Sequence, residues 1–144
     1  MPQVIVAPSA EDIDRIAKQL LHADSLVTSA AGVGLSGAID DLTLIQQTLE
    51  SGIVGREDTY SLQALGISLG KVLVNLNPEY DWWIVEDEYG RDPAIRYKHT
   101  SLLAFPQTMI SKRVEDGQPF SVPSLYRTVL RELEVIRDKH YTDA

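Results

Sequence analysis

The stretch Asp81 to Gly117, DWWIVEDEYGRDPAIRYKHTSLLAFPQTMISKRVEDG, decides the fold. From Trp82 the side chains alternate with period two, the repeat of a strand with two unlike faces. Trp82, Ile84 and Glu86 fall on one face, and Trp83, Val85 and Asp87 on the other. Tyr89-Gly90 supplies a turn, Ala94 to Lys98 a second strand and Thr100 to Phe105 a third. The spacing predicts an antiparallel meander of three strands. Because neighbours in a strand face opposite ways, one tryptophan is expected in the core and the other partly exposed. Pro106 suits the first turn of a short helix carrying Met109, Ile110, Arg113 and Val114, closed by Asp116-Gly117.

Upstream, Leu62, Leu65, Leu69, Val72, Leu73 and Leu76 keep the helical period over four turns until Asn77-Pro78 stops it. A helix this apolar is expected at the centre of the domain. Before it, Ser9 and Asp12 form a capping box. The helix behind that box repeats Ile13, Ile16, Ala17 and Leu20 on one side, with Asp14, Arg15, Lys18 and Gln19 facing away. Thr28 to Gly37 is small and glycine-rich, so it reads as a loop or a broken helix end. Ile39, Leu42, Ile45 and Leu49 mark a further helix, with Asp40 and Asp41 near its positive end and Gly52 at its stop. Ser121 and Pro123 open a last helix with the stripe Leu125, Val129, Leu133 and Ile136, and the tail beyond Lys139 is expected to fray. The fold class that follows is α+β: N-terminal helices on a small antiparallel three-stranded β-meander, then C-terminal helices, in one domain over 1–144.

The chain has 144 residues, 44% of them hydrophobic, which suits a globular unit with a core. A formal charge of −8 repels phosphate backbones and anionic lipid, so nucleic acid and membrane are not expected partners. The absence of cysteine removes disulfides, thiolate nucleophiles and cysteine-type metal sites. The segment MPQVIVAPSAED has no basic region and too short an apolar run for a signal peptide, and nothing approaches a membrane span. A cytoplasmic setting is the expectation.

Two motifs match patterns whose context is missing. Gly32-Val33-Gly34-Leu35-Ser36-Gly37 fits GxGxxG, but a dinucleotide site needs a strand before it and a parallel strand returning after it. Gly66-Ile67-Ser68-Leu69-Gly70 fits the nucleophile elbow GxSxG, yet lies inside the best helical period of the chain. Gly66 and Gly70 read instead as a face that lets another element approach closely. His22, His99 and His140 match no metal spacing, and Glu86-Asp87-Glu88 with Asp92 reads as a solvated hairpin turn neutralised by Arg91 and Arg96. Neither a cofactor nor a metal is expected. Lys112-Arg113 is open to two readings: a structural pair of Arg113 with Asp87, or an anion-recognition site at the lip of a cleft.

The runs LQALGISLGKVL, WWIVEDEYGRDPAIR and FPQTMISKRVEDG together resemble a bacterial domain family of unknown function, domain of unknown function 3806. The resemblance spans Ser61 to about Leu133. It rests on Leu65, Gly66, Leu69 and Gly70 of the helix, on Trp83, Val85, Asp87, Glu88, Gly90, Arg91 and Asp92 of the hairpin, and on Phe105, Pro106, Lys112 and Arg113 after it. It implies a compact bacterial α+β domain and no particular reaction.

Two functions fit. The first is a non-catalytic binding module, recognising another protein in a regulatory or immunity-type role, with Trp82, Trp83, Asp87, Arg91, Arg96, Lys112 and Arg113 as its candidate binding residues. The second is a small enzyme using Asp87, Glu115, Arg96 and Arg113 in a cleft between sheet and helices. A homo-oligomer is compatible with the sequence, which sets no oligomeric state.

Overall fold

The computed structural model of the chain describes residues 3–141. Its elements run β1 (Val4–Val6), α1 (Ala10–Ala31), α2 (Asp41–Glu50), α3 (Thr59–Leu76), β2 (Tyr80–Asp87), β3 (Gly90–Tyr97), β4 (Leu103–Ala104), a 3-10 turn (Pro106–Thr108), α4 (Met109–Glu115) and α5 (Val122–His140). The class is α+β, and the sheet has four antiparallel strands in the order β1-β2-β3-β4 rather than three. The added strand is the apolar run at the N-terminus, which pairs Val4 with Glu86, Ile5 with Val85 and Val6 with Ile84.

The hairpin between β2 and β3 turns at Asp87↔Gly90, where Gly90 takes φ +133 and the Asp87 carboxylate accepts from the Tyr89 N–H at 2.8 Å. The register places Tyr80, Trp82, Ile84, Ile95, Tyr97 and Ala104 on one face, and the helices pack there. Trp83, Val85, Ala94 and Arg96 lie on the other. Both tryptophan rings are half-buried, so neither is the fully buried one that alternation alone suggests. Trp82 is bounded by α3 and the 3-10 turn, while Trp83 lies beneath the Arg96 guanidinium, 4.6 Å from the ring centre, and against the edge of His99.

Helix α3 occupies the centre and touches α1, α2, α4, α5, the 3-10 turn and β2. Its glycines set how closely the turn can lie. A Cβ on Gly66 would overlap the Pro106 carbonyl oxygen and stand 2.9 Å from that of Gln107. One on Gly70 would meet the Pro106 ring and Trp82 Cη2, each at 2.7 Å. Ser68 between them is buried and donates its hydroxyl to the Ala64 carbonyl at 3.2 Å.

Helix α1 is rotated from the stripe read in the sequence. Its buried residues are Asp12, Gln19, Ala23 and Val27, while Ile13 is 59% and Leu21 70% exposed. Small Ala23 and Val27 let α1 lie close to α3, and that approach carries Gln19, which was expected to face away, inward. In the loop beyond, the Leu35 N–H donates to Asp24 (2.7 Å), and the Ser36 and Gly37 N–H groups donate to the buried Asp41 (2.9 and 2.7 Å). The chain's own carboxylates thus take backbone donors that a phosphate would need. In α5, Leu125, Val129 and Leu133 are buried, but Ile136 is 42% exposed. The helix continues through His140, and Tyr141 shares a 2.7 Å hydrogen bond with Ser101, so the fraying expected after Lys139 does not begin there. Residues 142–144 of that tail lie outside the described residues. No helix among the described residues is long and apolar enough to cross a membrane.

Candidate functional site

The first turn of α1 builds the floor of a cleft. Ser9 Oγ accepts from the Asp12 N–H (3.2 Å), and the Asp12 carboxylate accepts from the Ser9 N–H (2.8 Å) and hydroxyl (2.9 Å). That is the capping box legible in the sequence. The same carboxylate, 2% exposed, also takes Arg91 Nη2 at 2.5 Å and Arg15 Nη2 at 2.9 Å. Arg91, from the start of β3, thereby ties the sheet to a helix 79 residues away, and its other branch pairs with Glu86. The Arg91 hydrogen bonds hold the Asp12 carboxyl far below the usual carboxylate range; burial opposes this, and the Ser9 N–H and O–H reinforce it. Asp12 is a structural anion whose accepting capacity is heavily used.

Around that floor stand Arg15, Ile16, Lys18 and Gln19 of α1, Tyr60 and Gln63 of α3, Ile84 of β2, Arg91 and Pro93 of β3, and Gln107 of the 3-10 turn. They enclose about 260 Å³, slightly below the range of about 300–1,000 Å³ usual for drug-sized ligands. Gln19 is 8% exposed, and its side-chain amide makes no hydrogen bond to any described residue. Among the described residues, Tyr80 Oη is the one sealed side-chain polar atom without a partner. The Gln19 amide is therefore not sealed in the core, and the cleft it lines is where it opens. Gln63 and Gln107 likewise have no protein partner, so three carboxamides converge there uncommitted.

One wall is braced by a hydrogen-bonded chain. His22 Nε2 lies 2.7 Å from Ser61 Oγ, and Ser61 donates its hydroxyl to Asp58 Oδ2 at 2.7 Å. The O–H and N–H of Ser61 hold the Asp58 carboxyl below its ordinary value. Asp58 is the N-cap of α3, and the His22 ring rests 5.1 Å from Tyr60. The order is opposite to that of a nucleophilic triad. The single Ser61 proton points at the carboxylate, so His22 is a donor to the serine and not its base.

Of the candidate binding and catalytic residues read from the sequence, only Arg91 lines this cleft. Trp83 and Arg96 meet each other on the far sheet face, and Arg96 donates to the Thr100 (2.5 Å) and His99 (2.9 Å) carbonyls instead of the acidic turn. Asp87 caps its own hairpin, and Arg113 donates to the Met109 carbonyl at 2.9 Å. The structural pair of Arg113 with Asp87 is not formed, because both groups are satisfied locally. Lys112 edges a separate depression with Asp92, Phe105 and Thr108. Among the described residues no ion pair joins Asp87, Arg96, Arg113 and Glu115, and no three His, Asp or Glu side chains are grouped to hold a cation. The sequence reading missed Gln19, Gln63 and Gln107: uncharged amides form no motif, and only the α1 spacing Ile16, Gln19, Ala23 and Val27 hinted that Gln19 turns inward.

With fold and cleft in view, comparison with known proteins identifies the class. The model of the family described as domain of unknown function (DUF3806) matches residues 41–126, and the chain belongs to that family. The match begins at α2, upstream of the Ser61 expected from the motifs. A crystal structure from Bacteroides thetaiotaomicron VPI-5482, solved at 1.50 Å, is similar in fold, with a TM-score of 0.83 and 22% sequence identity over 90% of this chain. The chain spans about half of that protein, 48% of its length. No curated protein matches it.

Proposed function

We propose that the protein is a non-catalytic binding module and that the cleft between α1, α3 and the hairpin is where it recognises its ligand. The observation that carries this reading is Gln19, a nine-tenths buried amide that opens into the cleft with no partner of its own. Because the amide is open to the cleft rather than sealed, a bound ligand can take over the hydrogen bonds that solvent makes to it there. The ionisable groups speak against chemistry: Arg15 and Arg91 are held by Asp12, Lys18 pairs with Asp14 at 3.0 Å, and Asp12 is locked as an anion. A general acid or base works best with a pKa near the operating pH, and the Asp12 carboxyl is held far below that.

The setting proposed with it is the bacterial cytoplasm, which the net charge of −8 and the bacterial source of the similar structure support. A protein partner docking over Trp83 is the second reading, favoured by that half-buried ring capped by Arg96 on the sheet face away from the helices. An enzyme using the Asp87–Arg113 region has less support, because those groups engage separate partners.

The test is a thermal-shift screen of polar metabolites on the whole chain, with Gln19→Leu and Gln63→Leu alongside. A ligand present at 100 times its Kd should stabilise the native protein by about 2.7 kcal/mol. That gain should vanish in the variants, and the ligand should be recovered unchanged. Chemical conversion of the ligand, or stabilisation indifferent to both substitutions, would overturn the proposal.

A further inference from the structure

We infer that the cleft takes a neutral polyhydroxyl ligand the size of one sugar ring; this rests on reading the cleft as a binding site. The charges at its rim are already balanced within the protein. Asp12 and Glu86 engage Arg91, Asp12 also engages Arg15, and Asp14 engages Lys18. A carboxylate or phosphate entering the cleft could use only the N–H donors of Arg15, Lys18 and Arg91 that these carboxylates leave free, and it would meet the field of a chain with net charge −8. A cationic ligand finds no better place, because the one carboxylate lining the cleft, Asp12, already accepts from two guanidinium groups and from Ser9.

What remains uncommitted is neutral: the carboxamides of Gln19, Gln63 and Gln107 and the hydroxyl of Tyr60, none of which has a hydrogen-bond partner among the described residues. Each carboxamide presents two N–H donors and a carbonyl acceptor in one plane. The matching ligand must therefore offer donors and acceptors side by side. Adjacent hydroxyl groups do so, since each donates once and accepts twice. Between the amides lie Ile16, Ile84 and Pro93 together with the Tyr60 ring, an apolar lining suited to the C–H faces of a saturated ring. About 260 Å³ admits one such ring and little more.

The experiment is calorimetric titration of the whole chain with D-glucose, D-galactose, D-ribose and myo-inositol. Sodium succinate, inorganic phosphate and L-glutamine serve as contrasts, each at about 50 mM and about 500 mM NaCl. At least one polyol should bind saturably, with an affinity that changes less than about twofold between the two salts, since no charge is neutralised. Gln19→Leu and Gln63→Leu should each weaken binding by about tenfold or more. Urea melts of both variants check the fold; Gln63 is partly exposed and keeps the test open should Gln19→Leu unfold the domain. Binding of succinate or phosphate with a steep salt dependence, or of glutamine alone, would overturn the polyhydroxyl assignment while leaving the cleft a binding site if the Gln63 variant abolishes it. Silence from all four polyols would overturn the assignment whatever the broader metabolite screen returns.

Discussion

Replacing Gly66 by alanine adds one methyl group at the point where α3 and the 3-10 turn touch. The new carbon would overlap the Pro106 carbonyl oxygen and stand 2.9 Å from the Gln107 oxygen and 3.2 Å from its carbonyl carbon. All three obstacles are main-chain atoms, so no side-chain rotation makes room. Backing the turn away would also loosen the Pro106 ring from Gly70 and Trp82 and shift Gln107 in the cleft. Overpacking of this kind costs about 1–3 kcal/mol, and immovable backbone puts it at the upper end. Against it, alanine is favoured over glycine inside a helix by about 1 kcal/mol. The net loss is about 2 kcal/mol, a large share of the roughly 5–15 kcal/mol typical of a domain. Urea melts followed by tryptophan fluorescence should show a lower midpoint with an unchanged slope. Gly55→Ala, where no atom lies within 4 Å and φ is not positive, should move stability by less than about 0.5 kcal/mol. A Gly66→Ala protein as stable as the parent would refute the reasoning that these glycines exist for close approach.

The two tryptophans separate by what surrounds them. Trp82→Ala should cost about 3 kcal/mol, because it opens space between Gly70 and Pro106 at the edge of the core. Trp83→Ala should cost about 1 kcal/mol, largely its contact with Arg96; equal losses in urea melts would contradict the assignment of their faces. Asp12→Asn should destabilise the protein by about 1–3 kcal/mol at pH 7, since charge-assisted hydrogen bonds from Arg91 and Arg15 and part of a helix cap are lost. The Asp12 carboxyl is depressed in the folded state, so its contribution is complete above the unfolded value of about 3.9 and drains as pH falls towards the lower folded value. The gap between parent and variant should therefore narrow steadily from pH 4 to pH 2; a constant gap would rule out ionisation of Asp12 as its source.

Much of the fold could be read from local pattern because its strongest elements are locally determined. Helix α3 is apolar enough that period alone marks it, and the β2–β3 hairpin carries alternation, a turn residue in Asp87 and a glycine at positive φ. Strand β1 escaped because three residues cannot display a period; Val4–Val6 is a strand by virtue of β2, about 80 residues on. The face of α1 was misjudged for a related reason. Ile13 and Ala17 look like a buried stripe, but the helix turns towards what its partners offer, namely Arg91 for Asp12 and a close approach to α3 at Ala23 and Val27. The cleft follows from that rotation. Arg91 was visible as a candidate because charge stands out in a sequence, whereas three glutamines drawn from α1, α3 and the 3-10 turn share no spacing. Their convergence exists only in three dimensions.

Whether the cleft is the recognition site can be read directly from the side-chain amide resonances of Gln19, Gln63 and Gln107 in 15N–1H spectra. The probe is the compound that most raises the melting temperature in the metabolite screen. All three NH2 pairs, with Arg91 Nε–H, should shift together and saturate on one isotherm, while the Trp83 indole N–H stays fixed on the far face of the sheet. Shifts confined to Trp83, Arg96 and their strand neighbours, with the three amides unmoved, would contradict this and place recognition around Trp83 instead.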